Sequence, residues 1–132
     1  MTDGVAELRR LSRNLGQIAG SAVADVDAVL KKGMQNMKEE MQADIHSSRH
    51  FSSKKKAGLE QSITYESHYL PGRVRYEIGP DKSRRGGALG NIYYFGTSRG
   101  GGSGDIDKPL RSEEPRTVSA LEALAARWAG RL

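Results

Sequence analysis

The sequence predicts an α+β fold with a long N-terminal helix, a small antiparallel sheet of three or more strands, and a C-terminal amphipathic helix. Apolar residues recur every three or four positions through the first third of the chain and again at its end. Between these regions they alternate with polar residues, as in half-buried strands. A chain of 132 residues with this order of patterns fits one α+β domain over residues 1–132.

The chain opens with a short helical pattern that Asp3 is suited to cap. Gly16 and Gly20 interrupt the pattern. Each glycine costs a helix about 1 kcal/mol relative to alanine, so the pair predicts a bend. The apolar positions of this first helix are Val5, Leu8, Leu11 and Leu15.

A second, more regular helical pattern is predicted over residues 21–47. Such a helix would be about 40 Å long, whereas a compact chain of this size is about 36 Å across. Its apolar face is therefore larger than so small a domain covers, and a partner surface is expected. Packing in the chain's own core is the alternative for these adaptable side chains. The candidate interface residues on this helix are Leu30, Met34, Met37 and Met41.

The middle of the chain begins with a polar, basic segment over residues 47–57, which predicts a flexible loop. Two strands with period-two alternation follow it. Ile63 and Tyr65 mark the first, and the sequence RVRYEI at residues 73–78 marks the second. The turn signal Leu70-Pro71-Gly72 between them predicts an antiparallel hairpin.

The sequence NIYYFGTS at residues 91–98 follows a glycine-rich loop and is predicted as a third strand or an extended segment. Four consecutive apolar residues leave this strand without a polar face. It is either a central strand packed on both sides within one domain or a strand shared with a neighbouring subunit. Both interpretations stay open. The candidate interface residues here are Ile92, Tyr93, Tyr94 and Phe95.

The C-terminal helix is predicted to start within residues 113–117, after a second flexible loop over 97–111. Two acidic residues and Pro115 suit a first helical turn. The amphipathic stripe that follows consists of Val118, Leu121, Leu124, Ala125, Trp128 and Leu132.

No pattern in the sequence marks a catalytic, cofactor or metal site, so an enzyme is not expected. The absence of cysteine excludes disulfides and thiolate ligands. His46 and His50 lie four apart, but a histidine near a helix C-terminus has a simpler explanation in the helix dipole. No apolar run resembles a signal peptide or reaches membrane-spanning length, so neither export nor membrane anchoring is expected.

The formal net charge is +5, and the only dense basic run is Lys54-Lys55-Lys56. The run suits either a solvated loop or a contact with nucleic acid, so a basic nucleic-acid-binding module is the alternative function. This run and the glycine tract after residue 98 are candidates for loops that become ordered on docking. Their candidate residues are Lys54, Lys55, Lys56, Arg99, Gly100, Gly101 and Gly102.

Several motifs, in this order, resemble the small neck or tail-completion proteins of long-tailed bacteriophages, which are often described as tail components. They are GLEQSI at 58–63, VRYEIGP at 74–80 and NIYYFGTS at 91–98, followed by a proline- and acid-containing segment before a C-terminal helix. The family often has other sequences where this chain reads FSSKKKAGL at 51–59 and DKPLRSEEPRTV at 107–118. These differences affect loop contacts more than the fold.

The resemblance implies a structural virion protein at the head–tail junction, made in the host bacterial cytoplasm. It implies a homo-oligomeric ring that completes the tail or joins it to the head, without catalytic residues or cofactors. The implied partners are other neck proteins, connector or tail-tube proteins, and weak contact with DNA in the lumen. Because contacts in a ring are heterologous, each copy needs two different adhesive surfaces, and the long helix and residues 92–95 are the candidates.

Overall fold

The computed structural model describes residues 2–48, 51–71, 73–97, 100–102 and 104–132, apart from the side chains of Thr2 and Asp3. The predicted α+β class, long N-terminal helix, antiparallel sheet and C-terminal helix are confirmed. The prediction of three or more strands is wrong for this part of the chain, where the sheet has two strands. In chain order the elements are α1 (Thr2–Ser47), α2 (Ser53–Ser62), β1 (Ile63–Leu70), β2 (Arg73–Pro80), α3 (Gly87–Phe95) and α4 (Lys108–Gly130).

The N-terminal region forms one continuous helix of 46 residues and not two helices with a bend. At 1.5 Å per residue, α1 is about 69 Å long. Gly16 and Gly20 lie within it, and a Cβ built on either would have no other element of the described chain within 4 Å. A glycine lowers helix stability, but the segments on both sides are helical, and each further residue adds a backbone hydrogen bond. The helix therefore continues across the two glycines. The side chain of Asp3, the predicted cap, is not among those that the structure describes.

The second helix occupies part of the segment predicted as a loop over residues 47–57. The Ser52 side chain caps α2 by accepting a hydrogen bond from the Lys55 backbone N–H at 3.4 Å. The lysine run therefore lies in the first turn of a helix. Lys56 Nζ donates to the His46 carbonyl at 2.9 Å, which places a cation at the negative end of α1.

The hairpin matches the prediction in type and in approximate position. β1 and β2 pair antiparallel, from Ile63 opposite Pro80 at the base to Leu70 opposite Arg73 at the tip. Ile63 is buried at the base, whereas the residues at the tip are exposed. The hairpin lies along the C-terminal half of α1 and packs on it with both strands.

Residues 91–95 belong to a helix, so the prediction of a third strand or extended segment at 91–98 is wrong for these residues. The buried positions of α3 are Gly87, Gly90 and Tyr94, at steps of three and four. A short run that is apolar on every side carries no periodicity, so its sequence does not separate a buried strand from a buried helix. The glycines instead let α3 lie close to the end of β2, because a Cβ on Gly90 would be 2.8 Å from the Pro80 side chain.

The C-terminal helix starts at Lys108, earlier than predicted, and Pro115 lies inside it. α4 runs antiparallel to the C-terminal half of α1. Three side-chain contacts fix this pairing along its length: Lys108 Nζ with Asp44 Oδ1 at 2.8 Å, Ser112 Oγ with Glu40 Oε1 at 3.0 Å, and Trp128 Nε1 with Asp25 Oδ2 at 3.2 Å.

The core is small and lies where the C-terminal end of α1 meets α2, β1 and α3. Partly buried side chains of Phe51, Ile78, Leu89, Tyr93 and Ile106 pack around it. Because this core sits at one end of a long helix, the opposite end of α1 receives no cover from it. The buried cluster consists of Met41, Ile45, Leu59, Ile63 and Tyr94.

Replacing Gly87 with alanine is expected to lower the free energy of unfolding by about 3 kcal/mol, at the upper end of the usual range for overpacking. The added Cβ would collide with the Asp81 carbonyl. Gly20→Ala is the matched control. Its Cβ meets nothing within 4 Å, so a stabilisation of up to about 1 kcal/mol is expected from helix propensity. Urea denaturation followed by circular dichroism measures both, and equal effects would contradict the close packing of α3.

Candidate functional site

The N-terminal half of α1 carries an apolar stripe that the rest of the described chain leaves uncovered. The four side chains of this α1 stripe are between 38% and 66% exposed. Built Cβ atoms on Gly4, Gly16 and Gly20 have no neighbour within 4 Å, which shows that the surrounding space is open. The α1 stripe consists of Val5, Leu8, Leu11 and Leu15.

The geometry of the helix places the three leucines of the stripe on one face. Each residue turns the helix by about 100°, so Leu8, Leu11 and Leu15 lie close together around the axis. By the same geometry Arg9 lies at one margin of this face, about 100° from Leu8, and Arg13 lies on the side of the helix away from it. Both arginines are exposed. The stripe itself is therefore an apolar surface.

The chain's own packing on α1 reaches as far as Asp25 and Asp27. Trp128 at the end of α4 bonds to Asp25. On the other side, Asp27 accepts hydrogen bonds from the hydroxyls of Tyr69, at 3.1 Å, and Tyr76. Burial and the bond to the Asp27 carboxylate raise the pKa of Tyr76 above its ordinary value, which keeps this hydroxyl protonated as a donor. These contacts fix the hairpin and α4 to one half of the helix.

The methionine positions predicted as a subunit interface lie largely inside the single chain. Met37 and Met41 are buried, and Leu30 and Met34 are half-buried. The reason is that α4 and the hairpin both pack on this half of α1. In this conformation Met37 and Met41 are not accessible to a partner.

The four residues Ile92 to Phe95 are divided between the core and the surface because they are helical. Tyr94 is buried, and Tyr93 packs edge-on against Phe51 with ring centroids 5.6 Å apart. Burial raises the pKa of the Tyr94 hydroxyl above its ordinary value. Ile92 and Phe95 face outward, 47% and 60% exposed. Two of these four candidate interface residues therefore remain available as a surface.

The apolar stripe of α4 is only half covered by α1. Leu124 is 2% exposed and Trp128 is half-buried, both on the side that packs against α1. A second row, at steps of four residues, alternates apolar and acidic side chains and is exposed throughout. We call this row the α4 flank, and it consists of Leu110, Glu114, Val118 and Glu122.

The predicted docking loops differ from each other in the structure. Lys54 and Lys55 are exposed on α2, whereas Lys56 is half-buried by its bond to α1. Arg99 lies outside the described residues. Gly100 exchanges backbone hydrogen bonds with Thr97 at 2.9 and 3.2 Å, and a Cβ on Gly102 would collide with the Tyr94 carbonyl. Gly101 lies between them and is exposed. This part of the glycine tract thus packs on α3.

A cleft of about 380 Å³ lies between α1 and α4 and contains the buried carboxylate of Glu113. Asn36 Nδ2 donates to Glu113 Oε1 at 3.1 Å, and Arg116 pairs with the second oxygen at 3.4 Å. Each carboxylate oxygen therefore has a partner from the chain. The bond from Asn36 to Glu113 fastens α1 to α4.

Three metal-ligand side chains meet on the hairpin, where Glu66, His68 and Glu77 place ligand atoms within 4.8 Å of one another. His68 Nε2 lies 3.5 Å from Glu77 and 3.9 Å from Glu66, and Arg75 lies 3.3 Å from Glu77. Glu66 and Glu77 are exposed, whereas His68 is half-buried and its Nε2 has no hydrogen-bond partner among the described residues. Of the predicted histidine pair, His50 lies outside the described residues and His46 contacts Glu60 at 3.0 Å.

Comparisons with known proteins give no relative for this chain. No protein-family model matches it, and no curated protein or solved structure matches it either. In the part of the chain that the structure describes, no helix is both long and apolar enough to cross a membrane.

Proposed function

We propose that this protein is a structural component of the head–tail junction of a long-tailed bacteriophage, where it assembles as a homo-oligomeric ring that completes the tail or joins it to the head. The observation that carries the proposal is the uncovered α1 stripe. Burying a leucine side chain contributes about 1.5–3 kcal/mol. A projecting helix that leaves three of them exposed in a row therefore favours a partner for that row.

The distribution of exposed apolar side chains supports a ring over a closed two-fold dimer. A ring of copies uses two different surfaces on each copy, which repeat head to tail until they close. The α1 stripe and the α4 flank are two such surfaces, and they lie on different helices. The adjoining layers are other neck, connector or tail-tube proteins. They would contact the exposed Ile92 and Phe95 and the lysines of α2.

The alternative function is a basic nucleic-acid-binding module, and one observation favours it. Lys54 and Lys55 are exposed on α2, and a Cβ built on Gly58, one turn later, would lie 3.8 Å from the carbonyl of the exposed Arg85. Basic side chains from two segments are thus neighbours. In a ring the same side chains would make weak contacts with DNA in the lumen.

The two functions are separated by measuring the oligomer and the virion together. We expect the full chain to form a ring with a central opening, seen by light scattering and negative-stain electron microscopy. We also expect its peptides in purified virions of the phage that encodes it, and separated heads and tails when its gene is deleted. A monomer that is absent from virions but binds duplex DNA with a steep salt dependence would overturn the proposal and favour the alternative.

A further inference from the structure

We propose that Glu66, His68 and Glu77 on the hairpin bind a divalent transition-metal ion of the first row, with Zn²⁺ as the representative. The three side chains offer one imidazole and two carboxylates, which are ligands that Zn²⁺ takes in proteins. The proposal goes beyond the ring and does not depend on it, because these ligands lie on β1 and β2, apart from the α1 stripe and the α4 flank.

The register of the hairpin places the three ligands on one face. Glu66 lies directly opposite Glu77, and His68 is two residues further along β1. Side chains alternate between the two faces of a strand, so these three share a face. The neighbouring Tyr76 points to the other face, where its hydroxyl bonds to Asp27 of α1. The ligands therefore lie on the face directed away from α1, where an ion can reach them from solvent.

The distances between the ligand atoms approach those around a tetrahedral ion. His68 Nε2 lies 3.5 Å from Glu77 Oε2 and 3.9 Å from Glu66 Oε2, and one ligand atom of each residue lies within 4.8 Å of the other two. Zn–N and Zn–O bonds of about 2.0–2.2 Å separate tetrahedral ligands by roughly 3.4 Å. Rotation of the exposed Glu66 side chain closes the remaining difference.

The state of His68 Nε2 is a second, independent observation. This atom is shielded from solvent and has no hydrogen-bond partner in the described part of the chain, although 38% of the side chain is exposed. Its distances to the two carboxylates are longer than those of N–H···O hydrogen bonds. Polar atoms shielded from water usually have a partner. A metal ion between the three side chains supplies one, since neutral imidazole is the commonest metal ligand.

The charges around the cluster also favour a cation. Like charges directly opposite each other destabilise a strand pair, as Glu66 and Glu77 do here. Arg75 offsets this only in part, because its guanidinium lies 3.3 Å from Glu77 Oε1, whereas Oε2 is the oxygen that lies near His68. Arg75 thus holds the oxygen that the ion does not need and orients the other one, as groups behind metal ligands do.

The kind of ion follows from the ligand types. Imidazole suits Zn²⁺ and its first-row neighbours, whereas Mg²⁺ and Ca²⁺ prefer sites made of oxygen atoms alone. Three protein ligands leave the fourth position of a tetrahedral ion to water or to a group of another molecule.

The test measures Zn²⁺ binding to the full chain, freed of metal by a chelator, with isothermal titration calorimetry. One Zn²⁺ per chain is expected, and Mg²⁺ is expected to bind far more weakly. His68→Gln, and Glu66→Gln with Glu77→Gln, are each expected to weaken Zn²⁺ binding at least about a hundredfold, beyond the usual effect of losing a group behind the ligands. The matched control is His46→Gln, which removes a histidine that the structure pairs with one carboxylate, that of Glu60. Its affinity is expected to equal that of the wild type.

Thermal unfolding gives a second measurement. The midpoint for the wild type is expected to rise by about 5–10 °C when free Zn²⁺ is about a hundred times its dissociation constant. The two glutamates are exposed, so their replacement is expected to leave the fold intact, which circular dichroism verifies. The proposal is overturned if the wild type does not bind Zn²⁺, if either variant binds it as tightly as the wild type, or if Mg²⁺ binds equally well.

Discussion

Replacing Ile45 with alanine is expected to lower the free energy of unfolding by about 2–5 kcal/mol, a large share of the stability of a domain this size. Ile45 is fully buried where α1 meets α2 and β1, and it belongs to the buried cluster of the core. The substitution leaves a cavity inside this cluster, which adds to the cost of the lost apolar contacts. The midpoint and slope of urea denaturation, followed by circular dichroism, give the value.

The matched control is Ile92→Ala, which removes the same atoms from a side chain that is 47% exposed. A loss of less than about 1 kcal/mol is expected there, because much of the side chain is hydrated in the folded chain. The comparison also tests the correction of residues 91–95 from strand to helix. An Ile92 variant as damaging as the Ile45 variant would contradict the outward position of this residue on α3.

The elements that could be predicted from sequence are those with a clean period. Met37, Met41 and Ile45 recur at steps of four and do form the buried face of α1. The alternation at Ile63, Tyr65, Val74, Tyr76 and Ile78 predicted the hairpin, and its two strands pair as expected. In both places the spacing of the apolar residues matches the buried face of the element. The local sequence is then sufficient to predict the type of secondary structure.

The elements that were mispredicted are those where tertiary contacts override the local signal. The apolar residues 92–95 show no alternation with polar residues, so the sequence does not separate strand from helix there. The helix is favoured by a tertiary contact, the close approach of Gly87 and Gly90 to the end of β2. The lysine run at the start of α2 looks like a loop by composition, but the Ser52 cap and the bond of Lys56 to the end of α1 order it as helix. Neither contact is visible in the sequence.

The candidate site could be predicted only in part from the sequence. Which apolar side chains of α1 are exposed depends on which half of this helix the other elements cover. The sequence predicts the stripe at Val5 to Leu15 as helical, but it places the candidate interface at Leu30, Met34, Met37 and Met41. One signal was present: the apolar positions run from Val5 to Ile45 at the start of the chain but only from Val118 to Leu132 at its end, so the second helix covers only part of the first. The contacts at Asp25 and Asp27 decide which half, and they join residues 42–103 positions apart in sequence.

Replacing Leu8, Leu11 and Leu15 together with glutamine is expected to abolish ring assembly while leaving the single chain folded. Each leucine loses about 1.5–3 kcal/mol of burial at the contact, so the dissociation constant rises by about a thousandfold or more. Glutamine has nearly the helix propensity of leucine, so α1 is expected to stay helical. Light scattering across a concentration series measures the assembly, and thermal unfolding of the monomer measures the fold.

The control places the same residue type on the opposite side of the same turns, as Arg10→Gln with Arg13→Gln. These exposed positions lie off the stripe, so assembly is expected to match the wild type. If both sets of substitutions abolish assembly, the projecting helix acts through its overall helicity or charge and not through its apolar row. If neither set does, the uncovered stripe has no role in assembly, and a ring would have to use other exposed apolar side chains, of which Ile92 and Phe95 are two.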